Sequence, residues 1–368
     1  MFSSPSTPQL QRPGHVRHCK YCLFGLPGTQ VGLDASRLAI VFYCIGTLDL
    51  LGLLDSGSKP HEREEWRRWI WEQYVVSEHG AGFRPGPFVV TAVDGEDKSR
   101  STNAHDTPHI IMTYTAVISL SILQDDLKRL DKKQLLSFLR SCQREDGSFS
   151  TIPGSTDSDL RTTYCAFAIF KMLDDWSGID IPRAVSYIQR CRSYEGGYGQ
   201  YPWNEAQGGT TYTALASLYM IPEAVQSSLR PQARLTDVER AQSVRWLVQQ
   251  QTEAGGFSGR TGKEADACYC FWCSASLDIL GAGHLVDESA VIGFMGQCQF
   301  KFGGIAKAPG EDAADPYHTY LSLAALSLGT ARGATLPDES WKLEPLNPLL
   351  NARTSVAEWA QAKMSNAQ

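Results

Sequence analysis

At 368 residues, 42% hydrophobic and 20% charged, the chain has ample material for a large core. A formal charge of −6 argues against indiscriminate binding to nucleic acid or anionic membranes, and no apolar run approaches the roughly 20 residues of a membrane span. Ten cysteines are too dilute for a disulfide scaffold; with no export signal, the compartment is read as a reducing cytoplasm and most thiols as small buried hydrophobes.

The first residues, 1–14, are polar and proline-rich; they are read as a disordered tail before a single domain over 15–368. His15, His18, Cys19 and Cys22 form half of a zinc knuckle with no second half nearby, so packing is the preferred reading. SRLAIVFYCIGTLDLL, from Ser36, is a nearly all-apolar helix. From there one unit recurs: an amphipathic helix, a glycine-rich turn, then a second apolar helix led by an aromatic. The turns read GAGFRPG from Gly80, EDGSFS from Glu145, EGGYGQ from Glu195, AGGFSGR from Ala254 and FGGIAK from Phe302. The leading aromatics are Tyr114, Tyr164, Tyr212, Phe271 and Tyr320, at intervals of roughly 50 residues. Stretches 91–107 and 220–237 read as insertions on the outside.

The helix after each turn is apolar all round, which requires burial on both sides, whereas its partner keeps a charged face for solvent. A linear solenoid would cover only one side of the apolar helices. The pattern therefore predicts an all-α fold, an α/α toroid (α-α barrel) of about six helix pairs around a central cavity.

The densest chemistry lies at Asp266-Ala-Cys268-Tyr269-Cys-Phe-Trp272, where an inner helix begins, and at His318, near the start of the next. Taken singly, Cys268 reads as a packed thiol and His318 as a cap. At equivalent positions of consecutive repeats, carboxylate, thiolate and imidazole make a three-ligand zinc site with a fourth position open. Cys270 and Cys273 point away from Cys268 along the helix and are read as core. Arg260, Lys263 and Lys307, with the Tyr269 hydroxyl, supply cations and a donor suited to a diphosphate. Below them Tyr114, Tyr164 and Trp272, beside the small Ala39, suit a long apolar chain.

At these residues the sequence resembles the β subunits of the protein prenyltransferases, over roughly residues 15–360. The D-x-C-Y-x-F-W run at 266–272 and the D-x-x-H ending at His318 carry the resemblance. Segments such as HVRHCKYCLFGLP and MLDDWSGID are most similar to the type I geranylgeranyl branch. The resemblance implies zinc held by Asp266, Cys268 and His318, and a catalytic role for Lys307. This lysine replaces an aspartate that helps hold magnesium in the farnesyl branch, so magnesium is not required. Ala39 replaces a tryptophan that floors the farnesyl pocket, leaving room for a 20-carbon isoprenoid bordered also by Tyr114, Arg161, Tyr164 and Trp272. Gln207, before Gly208 and Gly209, replaces a diphosphate-binding histidine and cannot carry charge. The peptide pocket is expected near His109, Ile111, Arg161 and Thr162, with Ile111 and Thr162 departing from the pattern.

The implied activity is transfer of a geranylgeranyl group from geranylgeranyl diphosphate to the cysteine of C-terminal C-a-a-X proteins such as small GTPases, with X expected to be leucine. A prenyltransferase α subunit is the implied heterodimer partner; nucleic acid and a stable membrane anchor are not implied. The alternatives are a farnesyl or Rab-type geranylgeranyl β subunit and a non-catalytic partner-binding toroid. A terpene cyclase would need a D-x-D-D motif, which the sequence lacks.

Overall fold

In the computed structural model, residues 8–26, 28–56, 59–87, 107–227, 229 and 233–365 are described. In chain order the helices are α1 (Arg12–Phe24), α2 (Arg37–Leu50), α3 (Leu53–Ser56), α4 (Pro60–Trp71), α5 (Ile110–Ile122), α6 (Lys132–Cys142), α7 (Leu160–Leu173), α8 (Ile181–Arg190), α9 (Gly208–Met220), α10 (Glu223–Gln226), α11 (Asp237–Val248), α12 (Ala267–Ile279), α13 (Glu288–Cys298), α14 (Pro316–Ala331) and α15 (Thr354–Met364). Three short antiparallel pairs accompany them: β1 (Tyr74–Ser77) with β2 (Gly80–Phe83), β3 (Ile305–Ala306) with β4 (Ala314–Asp315), and β5 (Leu346–Asn347) with β6 (Ala352–Arg353).

The apolar helices form the inner ring. Around it α2 packs on α5, α5 on α7, α7 on α9, α9 on α12, α12 on α14, and α14 returns to α2. That closure rules out the linear solenoid. Every residue of α5 except Ile111 is buried, as a helix walled on both sides must be. An outer helix such as α8 instead buries one stripe, Ile181, Ala184, Val185, Tyr187 and Ile188, and leaves its polar face to water.

The glycine turns weld neighbouring units together. Gly147 (φ +93°) and Gly303 (φ +100°) lie where only glycine is comfortable. A Cβ at Gly147 would overlap the Arg183 carbonyl at the next outer helix; one at Gly303 would overlap Gly14 in α1. So the last turn seats on the first helix, making α1 the outer partner that closes the circle. A second weld is a threonine just before the leading aromatic: Thr113, Thr211 and Thr319 accept from the backbone N–H of Phe83, Tyr198 and Ile305, each at 2.9 Å.

Three of the five leading aromatics converge on one segment, and a fourth joins them through Tyr164. Tyr212 donates to the Tyr164 hydroxyl (3.2 Å), which lies between the Tyr114 hydroxyl (3.2 Å) and the Leu349 carbonyl (3.1 Å). Tyr114 donates to the Leu350 carbonyl (2.9 Å) and Tyr320 to that of Asn351 (2.6 Å). Residues 349–351 thus plug the ring, and α15 packs across α5 and α7 beyond them.

One sequence boundary shifts here, and one expectation falls largely outside the described residues. The ordered chain starts before residue 15: Leu10 is buried and α1 begins at Arg12. Of the expected insertions, nearly all of 91–107 lies outside the described residues, and 220–237, described only in part, contains α10. Among the described residues, no helix is long and apolar enough to cross a membrane.

Candidate metal centre and active site

One repeat position carries most of the chemistry. His109, Asp159, Gln207, Asp266 and Asp315 are the N-cap residues of α5, α7, α9, α12 and α14. Helix starts leave backbone N–H groups without helical partners. Asp159, Asp266 and Asp315 accept such bonds, whereas His109 and Gln207 make no side-chain cap bond. Because the inner helices run side by side, these positions share one rim.

On that rim Asp266, Cys268 and His318 converge, with one ligand atom from each within 4.8 Å of the others. Asp266 Oδ1 accepts from the Cys268 N–H (3.0 Å) and lies 3.3 Å from His318 Nε2. The other ring nitrogen, Nδ1, sits 2.6 Å from Asp315 Oδ2. Burial pushes the Cys268 thiol up to about 12, with His318 drawing it down and Asp266 adding to the rise. Burial alone would lower His318, but its bonds to Asp266, Asp315 and Cys268 outweigh it and raise the ring to about 11. Burial opposes ionisation of Asp266, yet His318 and Cys268 hold its carboxyl below the usual value. One oxygen, one sulfur and one nitrogen donor, all at least half-buried and mutually close, fit zinc with a position to spare. No second such cluster occurs among the described residues. His15 is a seam residue instead: its Nδ1 accepts from Gly304 N–H (3.1 Å) and its Nε2 faces Gln299 Oε1 (3.3 Å).

Beside the cluster opens a cavity of about 420 Å³, bordered by all five residues expected around the isoprenoid: Ala39, Tyr114, Arg161, Tyr164 and Trp272. Gln207, Gly209, Tyr269 and Ile111 also line it. Gly208 is a close approach: a Cβ would come within 2.9 Å of Cys273 Sγ and 3.0 Å of the Tyr269 ring. Lys307 is exposed, and its carbonyl accepts from Ala267 N–H (2.8 Å), which places it next to the start of α12. Lys263 is exposed on the loop into α12. Arg260 is already engaged by Glu205 (3.0 Å).

The peptide-pocket residues divide. Ile111 and Arg161 reach the cavity, Arg161 held by Asp159 at 2.6 Å. Burial lowers His109 to about 4, with Asp157 opposing. Thr162 does not face the cavity: it is buried, its hydroxyl accepting from Asp159 N–H (3.1 Å) and donating to the Phe149 carbonyl (2.6 Å). It completes a capping box, which explains a threonine there without reference to ligand.

Sequence reasoning missed Tyr43, Tyr317 and Asp315. Tyr43 stands one turn beyond Ala39 on the same face of α2, a spacing that could have flagged it. Tyr317 meets Tyr43 edge-on at 5.4 Å and accepts from Trp272 Nε1 (3.1 Å); it adjoins His318 in sequence. Asp315 stands in the repeat alignment directly opposite Asp266.

The chain matches the family model described as prenyltransferase alpha-alpha toroid domain over residues 10–352. It is 33% identical to the geranylgeranyl transferase type-1 subunit beta of Arabidopsis thaliana, over 90% of this chain and 88% of that one. With the protein of the same description from Dictyostelium discoideum it shares 36% identity, over 92% of this chain and 94% of the other. The fold matches a solved structure of Candida albicans protein geranylgeranyltransferase-I complexed with GGPP, with a TM-score of 0.82, 24% identity, and coverage of 97% of this chain and 100% of that chain.

Proposed function

The chain belongs to the protein prenyltransferase β-subunit family, and from that premise we propose that it is the catalytic subunit of a type I protein geranylgeranyltransferase. The observation that carries the reading is the convergence of Asp266, Cys268 and His318 beside an aromatic-walled cavity that their neighbours Tyr269 and Tyr317 line. The reaction joins the cysteine sulfur of a C-a-a-X protein to C1 of geranylgeranyl diphosphate and expels diphosphate.

Zinc, held by Asp266, Cys268 and His318, would favour the thiolate form of the substrate cysteine, which is the nucleophile. The cavity beside Ala39, Tyr114, Tyr164 and Trp272 holds the isoprenoid and excludes water from it. Lys307, Lys263 and Tyr269 stabilise charge on the departing diphosphate, and Lys307 takes the place of magnesium there. Arg260 joins them by exchanging Glu205 for the diphosphate. Gln207, with Gly208 and Gly209, offers a neutral donor and close backbone approach. Holding both reactants against one rim supplies orientation. Ile111, Arg161 and His109 border the place for the peptide's last residue. The relatives are β subunits, so a partner α subunit completes the enzyme, in the cytoplasm, where its small-GTPase substrates are made.

The test is co-expression with a candidate α subunit, zinc analysis, and prenylation of peptides ending in Leu, Met or Ser with 15- and 20-carbon donors. Transfer of the 20-carbon group without added magnesium, lost in Cys268→Ala, is expected. Zinc well below about one per chain, or full activity in Asp266→Ala, would overturn the reading.

A further inference from the structure

Asp266 and Asp315 occupy the same position in consecutive repeats, each capping an inner helix, yet they address His318 from opposite sides. Asp266 faces Nε2 at 3.3 Å. Asp315 uses both oxygens on the one residue: Oδ1 accepts from the His318 backbone N–H (2.8 Å) and Oδ2 lies 2.6 Å from ring Nδ1. It lies outside the group of converging ligand atoms. We propose that Asp315 is a positioning residue for the metal site, clamping His318 by backbone and ring together so that Nδ1 keeps its proton and Nε2 is presented to the ion. This rests on the reading of the triad as a zinc site.

An ionised carboxylate only accepts hydrogen bonds. The Nδ1 facing Asp315 therefore carries the hydrogen, and the neutral ring that binds a metal has its lone pair on Nε2. Two bonds to one carboxylate fix the ring's rotation as well as its tautomer, which neither could do alone. The clamp is itself anchored. Asp315 pairs with Ile305 across β3 and β4, and its carbonyl accepts from the Thr319 hydroxyl (2.6 Å), which in turn accepts from Ile305 N–H (2.9 Å). Tyr317 packs edge-on against the imidazole at 5.0 Å and closes another side. The same hairpin leads out through Lys307, so one short element sets both a metal ligand and a rim cation.

Capping and clamping can be separated by substitution. Asn and Thr are good N-caps, but neither offers two carboxylate oxygens. Zinc affinity is measured by competition with a chromophoric chelator, and folding by the urea midpoint of the zinc-stripped protein, so that lost metal binding does not itself shift the midpoint, both on the co-expressed heterodimer. Asp315→Asn and Asp315→Thr are expected to keep the parent midpoint while zinc binding weakens about 10- to 100-fold, the usual effect of losing a carboxylate behind a metal-bound histidine. Asp315→Ala should lower both. Parent-like zinc affinity in the Asn and Thr variants would overturn the proposal and leave the metal site standing. A parent protein that takes up no zinc would overturn both.

Discussion

Zinc loading should expel two protons. In the metal-free site the Cys268 thiol, at about 12, and the His318 ring, at about 11, are both protonated at neutral pH. Asp266 is held below the ordinary carboxyl range and is already ionised. A metal requires thiolate and a free ring lone pair, so one proton leaves Cys268 and one leaves Nε2 of His318. Each proton is worth about 1.4 kcal/mol per pH unit. The apparent zinc constant should therefore strengthen about 100-fold for each unit of pH between 6 and 9, and the dependence should fade as pH nears the His318 value. Titration calorimetry in two buffers of different ionisation enthalpy reads the proton count directly, with a competing chelator to bring the affinity into range. A count near one at pH 7.5 would refute the reasoning, because it would mean that the two aspartates do not keep His318 charged in the empty site.

Three further outcomes follow from particular contacts. Gly147→Ala places a Cβ against the Arg183 carbonyl at φ +93° and should cost about 2–4 kcal/mol, seen as a lowered urea midpoint; a loss under about 0.5 kcal/mol, ordinary for a surface site, would contradict the weld between repeats. Ala39→Trp fills the cavity wall, and because one isoprene unit contributes at most about 4 kcal/mol of burial, kcat/KM should swing toward the 15-carbon donor by at least about tenfold. An unchanged donor ratio would move the end of the lipid elsewhere. Thr162→Val removes a buried capping hydroxyl and should lower stability by about 1–2 kcal/mol while the ranking of peptides ending in Leu, Met and Ser stays the same; an altered ranking would return Thr162 to the peptide pocket.

What could be read from the sequence was whatever the repeat wrote more than once. Turn glycines and leading aromatics recur because each unit must solve the same packing problem, so ring architecture and the converging helix starts were legible. Asp266, Cys268 and His318 stood out as reactive side chains at equivalent sites. Thr162 misled because a capping box and a ligand contact use the same residue types at a helix start. Its local D-x-x-T spacing held the answer. Asp315 stood in the D-x-x-H run but was given no role of its own, because its carboxylate addresses His318 three residues away and not the converging ligand atoms. Nothing local could reveal that residues 349–351 plug the ring, since two of the three hydroxyls that hold them, those of Tyr114 and Tyr164, come from helices far back in the chain. The pairing of Gly14 with Gly303 was hidden for the same reason.

That seam has a consequence for biogenesis. His15 must wait for Gly304, 289 residues later, before its hydrogen bond can form. On the ribosome, α1 and the exposed flank of α2 are made first and sealed nearly last, once α14 has emerged. For most of synthesis the growing arc carries two sticky ends, one of them α1, and such long-range closure is slow and prone to capture by other chains. Demand for a chaperone should therefore rise with the time spent as an open arc, whatever the stability of the finished circle. Circular permutation that moves the termini into another outer loop would keep every finished contact and change only which two helices wait.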